Sequence, residues 1–541
     1  VGSRHSDDIL ARLETLNEIG RALSSERDIR VLLEHILEAA QGFANSDGGT
    51  LYLVQSEQLV FEVIRNETLG YRLGGRSGGV INFPAVPLYH ADGSPVTGTV
   101  VAHAAQTGQT VNIEDAYAAE GYDFSGTRVF DEKNGYRSQS FLTVPMKNHG
   151  GAVIGVLQLI NARDADGTVR AFSGADQQLV ESLASQAAIA LNNRLLIGQM
   201  ENLFESLINL INSAIDEKSP YTGGHCERVP VLTMMLAEAA ERTREGPLSE
   251  FRMNDRDRYE LKIAGLLHDC GKITTPVHVV DKATKLETLF DRIHLLEARW
   301  EVFHRDNDIA RLKGEIDDAE HARRRKQLIK DFEMIRRSNI GGEFFEDEKV
   351  ARVKEIAKAR WTTHADEERP ALSEDEVDNL CIRRGTLTRR ERDIINHHIV
   401  VTIDMLEALP WPPHLTRVPE FAGGHHERMD GKGYPKGLTR EQMSVQARVM
   451  GIADIFEALT AADRPYKNGK KLSEALSILG RMKLDHHIDA DLFDVFIRER
   501  VYLRYAKRFL PPEQIDRIDW ARIPGISPTL AAEMSAQDAT R

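Results

Sequence analysis

SGADQQLVESLASQAAIALNNRLLIGQMENLFESLINLINSAIDE, residues 173 to 217, carries apolar side chains at helical spacing over its whole length without one proline. It reads as a single long helix, and the chain changes character across it. Upstream, helix and strand signals alternate. ARLETLNEIGRALSSERDIRVLLEHILEAAQGF (11–43) is helical by its i, i+3, i+4 leucines, and TLYLVQSEQLVFEVIRNE (50–67) reads as two strands joined by a polar turn. GTVVAHAAQTG (98–108) is amphipathic, and the strand runs SFLTVPMKN (140–148) and AVIGVLQLINA (152–162) flank the turn HGG. Downstream, from about residue 202, strand signals vanish. RVPVLTMMLAEAAERT, RDRYELKIAGLLHDCG, RRERDIINHHIVVTIDMLEAL, QARVMGIADIFEALTAA and DADLFDVFIRERVYLRYAKRFL each repeat at helical spacing. The predicted fold is therefore an α+β domain, a small antiparallel sheet with helices grouped on one side, joined by the long helix to an all-α domain.

The bulk composition narrows the function. At 541 residues, two or three domains are expected. A net charge of −14 argues against a broad footprint on a nucleic acid polymer, which needs many Lys and Arg contacts to phosphate. Cys226, Cys270 and Cys381 are too scattered for a disulfide framework or a cysteine zinc site, which fits a reducing cytoplasm. No apolar run of about 18 residues and no signal-peptide pattern appears, so membrane insertion is not expected. Within the long helix, Leu183, Ala187, Ile189, Leu191 and Leu195 suit the seam of a parallel homodimer; a helix packed on its own domain shows the same stripe.

Several short stretches carry chemistry. In AGLLHDCGKI (264–273), His268 and Asp269 offer a nitrogen and an anionic oxygen, a mixture suited to Fe, Mn, Ni, Co or Zn. Gly271 permits close approach, and Lys272 sets a cation one turn away, where a phosphate oxygen can meet it. HHERMDGKGYPKGL (425–438) places His425 and His426 after Gly423 and Gly424 and before a Gly-rich loop stiffened by Pro435. Taken alone, it is either a polar turn or the wall of a metal site. Adjacent histidines also occur at 397/398 and 486/487, and the last pair reads as a helix cap.

YRSQSFLTVPMKN, VIGVLQLINARD and FSGADQQLVESLASQAAIAL resemble a GAF domain, a family of small-molecule sensors, over residues 1–195. The resemblance implies an unidentified small-molecule ligand. Cyclic-nucleotide GAF domains carry Asn-Lys and, further on, Phe-x-x-x-Asp-Glu; here Asn161 is followed by Ala162, and Phe172 and Asp176 by Gln177. YTGGHCERV, LLHDCGKI, GTLTRRERDIINHHIVVTIDML, HHERMDGKGYPKGL and GIADIFEALTAADRPYK occur in the order of the HD-GYP proteins, bacterial phosphodiesterases most of which act on cyclic di-GMP. This resemblance implies an all-α catalytic domain over 202–511, a connecting signalling helix over 174–216 and a C-terminal tail over 512–541. It also implies two divalent metal ions, Fe or Mn, held by His225, His268, Asp269, His398, His425, His426 and Asp454. Asp269 and Lys272 would be the catalytic pair. Lys272, Arg464, Lys467, Tyr434 and Lys436 would meet the cyclic dinucleotide substrate. His398 is preferred to His397 because it keeps the family's distance from LTRRE. The chain departs from the family in three places. Arg464 and Lys467 stand one residue further from Asp454, Tyr221 replaces the glutamate of three-metal members, and about a hundred extra residues (286–384) follow HDCGK. These read as a charged antiparallel helical hairpin and a further helix, and RRRK (323–326) in them is either a solvated face or an anion contact. The implied reaction opens cyclic di-GMP to pGpG and on to GMP. The alternatives are another cyclic dinucleotide, such as cyclic GMP-AMP, or a catalytically silent signalling module.

Overall fold

The computed structural model describes residues 18–23, 25–26, 28–218, 224–342, 344–363, 365–462 and 469–539. Arg464, Lys467 and Tyr221 lie outside them. The chain separates into two compact units between Phe204 and Glu205.

The first unit is built on an antiparallel sheet. After helix α1 (Ile29–Ala44) come β1 (Ser46–Gln55), β2 (Gln58–Asn66), β3 (Tyr71–Gly74), β4 (Val86–Pro87), α2 (Val100–Thr107), β5 (Val111–Ile113), α3 (Ser125–Asn134), β6 (Phe141–Lys147), β7 (Val153–Arg163) and β8 (Val169–Arg170). The main strand order is β3-β2-β1-β7-β6-β5. Period-2 alternation sorts the side chains to two faces. Leu51, Leu53, Leu157 and Leu159 pack under α1 and α4 (Gly174–Lys218), whereas Tyr52 and Val156 face α2 and the loop at Phe124. Helices thus cover both faces, not one, because strands such as β1 and β7 are apolar on both. The predicted first helix is also interrupted. Asp28 caps α1 by accepting from Arg30 N, a contact worth about 1 kcal/mol, and this fixes a boundary the leucine spacing hides. The residues at the cyclic-nucleotide motif positions serve the fold itself. Asn161 accepts from Gln139 N at 2.7 Å, and Asp176 accepts from Arg170 and Ser173.

α4 covers Gly174–Lys218 as one helix. The stripe read as a possible dimer seam packs instead on the first unit. Leu183, Ala187 and Leu191 are fully buried in the core of the first unit and Leu195 packs against it; of the five, only Ile189 is exposed. The core claims that stripe, since burying each Leu stabilises by about 2 kcal/mol.

The second unit is helical. Its framework is α5 (His225–Arg242), α6 (Asp255–Leu267) with a 3₁₀ turn at Cys270–Thr274, and α7 (Val277–Val280). Then come α8 (Ile293–Leu312) and α9 (Asp318–Asn339), the predicted hairpin, and α10 (Asp347–Ile356). Here strand structure returns: β9 (Arg360–Thr362) pairs antiparallel with β10 (Glu368–Pro370), in a stretch read as helix up to Trp361. These elements and α11 (Glu374–Leu380) enclose a core of their own around Trp300, Ile335 and Val353. RRRK on α9 is exposed, with Arg323 and Arg324 paired to Glu320.

Beyond the insertion, α12 (Arg389–Asn396) and α13 (His398–Glu407) break at His397, where one helix was expected. α14 (Val418–Gly423), α15 (Val445–Thr460) and α16 (Leu472–Leu484) follow. The last predicted helix divides into α17 (Ala490–Arg498) and α18 (Val501–Phe509) at Arg500, which adopts φ 50°. Residues 512–539 are packed, not a loose tail: Trp520 is buried and donates to Asp538 of α19 (Pro528–Ala539). No helix among the described residues is long and apolar enough to cross a membrane.

Candidate metal centre

The seven expected ligands come from five helices and the turns that end them, and the structure brings all seven together. His225 opens α5, His268 and Asp269 follow α6, His398 opens α13, His425 and His426 follow α14, and Asp454 lies within α15. Of the adjacent pair, His398 is buried and His397 exposed.

A single local device aims three of the imidazoles. Nδ1 of His268 donates to Gly265 O at 2.7 Å, Nδ1 of His398 to Ile395 O at 2.5 Å, and Nδ1 of His425 to Ala422 O at 2.6 Å. Each acceptor is the carbonyl three residues back, freed at a helix end. His225 uses Glu457 instead, with Nδ1 against that carboxylate. A carbonyl only accepts, so Nδ1 of His268, His398 and His425 carries the proton and Nε2 of each presents a lone pair to the centre.

The Nε2 atoms face one another. Nε2 of His225 and His268 lie 3.3 Å apart, and Nε2 of His398 and His426 lie 3.2 Å apart. Asp269 stands between the two pairs. Its Oδ2 lies 3.2 Å from His225 Nε2 and 3.4 Å from His268 Nε2, and its Oδ1 lies 3.2 Å from His398 Nε2. Asp454 Oδ1 adds an oxygen 3.3 Å from His225 Nε2. Three overlapping sets result: His225, His268, Asp454; His398, His425, His426; and His268, Asp269, His425, with the donor atoms of each set within 4.8 Å of one another.

The protonation balance shows what the centre lacks. Asp269 Oδ1 and His425 Nε2 are buried without a hydrogen-bond partner, a costly state for polar atoms. Burial works against a charged His225, yet Asp269, Asp454 and Glu457 hold its pKa well above the usual value, so a proton supplies positive charge there. Burial, with His426 and His268 beside it, drives His425 well below the usual range, and burial pushes His426 down to about 4. Despite burial, Lys272 and His268 keep Asp269 well below the carboxylate range. Carboxylate oxygens and imidazole nitrogens facing each other at these distances fit divalent cations, with Asp269 able to offer one oxygen to each of two.

Supporting residues complete the site, and several were not read from the sequence. Glu457, fully buried, receives both His225 Nδ1 and Arg228 Nε, the latter at 2.7 Å. The signal was available: Glu457 follows Asp454 by three residues on a helix, so both face one way. Gly271 makes the expected close approach. A Cβ there would strike the His398 carbonyl oxygen, and Gly271 N donates to Thr402 Oγ1 at 2.9 Å, joining the turn to α13. Lys282, completely buried, donates to Glu391 at 2.8 Å and Asn379 at 2.7 Å, clamping the insertion onto α12 just before His398.

The glycine-rich loop is shaped by Glu427, which accepts from Lys436 N at 2.7 Å and Leu438 N at 2.9 Å. Gly433 packs so tightly on Glu427 and Arg428 that a side chain would strike their backbone. Tyr434 stacks on His426 at 4.9 Å, whereas the Lys436 ammonium lies 3.7 Å from Glu407 and contacts none of the histidines. Lys272 Nζ is ion-paired with Asp269 Oδ2. His486 and His487 end α16 and join none of the three sets.

With this geometry in place, likeness to known proteins is informative. The GAF domain family matches residues 28–191, and two HD domain families match residues 222–360 and 375–492. The chain joins a GAF domain to an HD domain. Among curated proteins, the 3'3'-cGAMP-specific phosphodiesterase 1 of Vibrio cholerae is 43% identical over 79 residues, 15% of this chain and 18% of its own length. The 3'3'-cGAMP-specific phosphodiesterase 3 of that organism is 24% identical over 309 residues, 57% of this chain and 40% of its own. The cyclic di-GMP phosphodiesterase of Thermotoga maritima is 32% identical over 133 residues, 23% of this chain and 36% of its own. The GAF–HD chain therefore spans 40% or less of the length of these relatives. Both matched families are the ones its two units resemble by sequence.

Proposed function

We propose that this GAF–HD chain is a metal-dependent cyclic dinucleotide phosphodiesterase of the HD-GYP type, acting on cyclic di-GMP and regulated by a small molecule at its GAF domain. The observation that carries the reading is Asp269, which turns one oxygen to the His225–His268 pair and the other to His398. In this reading His225, His268 and Asp454 would hold one ion and His398, His425 and His426 a second, with Asp269 within reach of both. Bound divalent ions, Fe or Mn by the donor set, supply Lewis acidity and neutralise phosphate charge during an in-line displacement.

The chain's own residues do the rest. The bonds from each Nδ1 keep the ligands in one tautomer and orientation. Lys272, already drawn to Asp269, exchanges that partner for a non-bridging phosphate oxygen of the substrate. Tyr434, fixed on His426, borders the substrate; Arg464 and Lys467 are proposed as its phosphate contacts from the sequence alone. A second reading, hydrolysis of cyclic GMP-AMP, is favoured by the names of two relatives.

The test is incubation of anaerobically purified, metal-analysed protein with cyclic di-GMP and 3'3'-cyclic GMP-AMP, products being separated by chromatography. Conversion of cyclic di-GMP to pGpG, and slower conversion to GMP, is expected. Faster turnover of cyclic GMP-AMP selects the second reading. No cleavage of either with Mn or ferrous iron overturns both.

A further inference from the structure

Five of the eight residues of α12 are exposed and none is fully buried, so packing does little to hold this helix in place. α13, which follows it, buries His398, Ile399, Thr402, Ile403 and Leu406. The His398 imidazole nonetheless takes its bearing from α12. Its Nδ1 donates across the break at His397 to the carbonyl of Ile395, at 2.5 Å. α13 therefore fixes where the side chain of His398 starts, and α12 fixes where its ring points.

What holds α12 is a buried charge from outside it. The side chain of Lys282 is completely buried, so every proton of its ammonium needs an acceptor within the protein. Nζ donates to Glu391 Oε1 and Oε2, each at 2.8 Å, and to Asn379 Oδ1 at 2.7 Å. Glu391 is also bound to the first turn of its own helix, where Oε2 accepts from Thr388 N and Thr388 Oγ1, both at 2.8 Å. One carboxylate thus fastens the cap of α12 to Lys282. Asn379 comes from the insertion: it is buried on α11, and its Nδ2 donates to the carbonyl of Asp375 at 2.8 Å. Asp375 pairs in turn with Arg292, just before α8, and the neighbouring Leu380 belongs to the insertion's own core.

We propose that Lys282 is a positioning residue for the metal centre: with Asn379 of the insertion it fixes Glu391 and α12, so that the Ile395 carbonyl turns the His398 imidazole toward Asp269 and His426. His398 Nε2 lies 3.2 Å from Asp269 Oδ1 and 3.2 Å from His426 Nε2. The other half of the centre has separate supports, since His268 is aimed by Gly265 O and His225 by Glu457. Loss of Lys282 should therefore weaken one ion, the one that His398, His425 and His426 would hold, and spare the other. This assignment rests on the two-ion reading of the centre.

The test is titration of the metal-free full chain with Mn, followed by electron paramagnetic resonance. The native chain should take up two ions and show the spectrum of a coupled pair. Lys282→Met should weaken one ion about 10–100-fold, the scale expected when the support of a ligating histidine is lost, and leave the spectrum of an isolated Mn, as His426→Ala does. A merely structural role would lower both affinities together. Asn379→Ala, which leaves the Lys282–Glu391 pair in place, should weaken the same ion less. A coupled pair that persists in Lys282→Met, or two ions weakened in step, would overturn the proposal alone. A native chain that takes up a single ion would overturn the two-ion reading and the proposal with it. Should Lys282→Met misfold, Asn379→Ala decides: selective weakening of one ion supports the proposal, and unchanged or evenly weakened loading overturns it.

Discussion

Two buried aspartates, one in each unit, show how differently a protein treats a charge it needs for itself and one it keeps for something else. Asp47, 1% exposed on β1, is saturated: Thr68 donates to it through N and Oγ1, and Tyr136 and Arg163 complete its shell. Asp269, 2% exposed, pairs with Lys272 through Oδ2 and faces three imidazole Nε2 atoms, but its Oδ1 has no hydrogen bond. The first is a structural lock; the second is half of an interaction. Desolvating a carboxylate is so costly that the deficit at Asp269 points to a cation.

The largest expected effect breaks the second aspartate. Asp269→Ala should remove metal, read by elemental analysis, and lower turnover by at least about a thousandfold, because both ions lose their shared ligand. Unchanged hydrolysis would sink the ligand assignment. The matched change, Asp47→Ala, should leave metal content alone and cost about 3–5 kcal/mol in urea unfolding, since Arg163 loses its buried partner. Glu457→Gln tests the layer between these extremes. It keeps the shape beside His225 and removes the charge, so metal affinity should fall about 10–100-fold while the melting profile of the metal-free protein shows the fold intact. A competition titration with a chelator measures it.

The smallest effect concerns a third buried charge. Lys285, 1% exposed in the insertion, donates to Leu380 O at 3.0 Å and lies 3.8 Å from the Phe345 ring centre, and burial lowers its pKa from 10.5 to about 8. Between about pH 8 and pH 10.5 the unfolded chain keeps a proton that the folded chain has lost. Stability contributed by this group therefore rises with pH through that window. Lys285→Met should flatten the rise, followed by urea midpoints across the pH range.

These contrasts also explain what the sequence made legible. Periodicity located β1, β2, β6, β7 and α4 because their burial follows the pattern of their apolar residues. It missed the break at His397, because Ile395, Ile399, Ile403 and Leu406 keep helical spacing across it. The seven residues that converge around Asp269 came from the resemblance to HD-GYP proteins, and of the adjacent pair the buried one is His398. Glu457 was passed over: its place three residues after Asp454 was there to read, but a lone glutamate in DIFE looks like any helix-surface charge until the facing His225 is known. The stripe of Leu183, Ala187 and Leu191 was open to two readings, a seam between copies or packing on its own domain, and only burial places it in the core of the first unit.

The position of the insertion has a consequence in chain entropy. Asp269 and His398 sit on either side of it, at the two ends of a loop more than a hundred residues long. An ion gripped by both side chains closes that loop as a covalent staple would, restricting the unfolded chain by an amount on the order of 4–5 kcal/mol. Ligation at the centre and the persistence of the whole hairpin-bearing loop would then be linked quantities, so that chelation loosens a region that touches no metal.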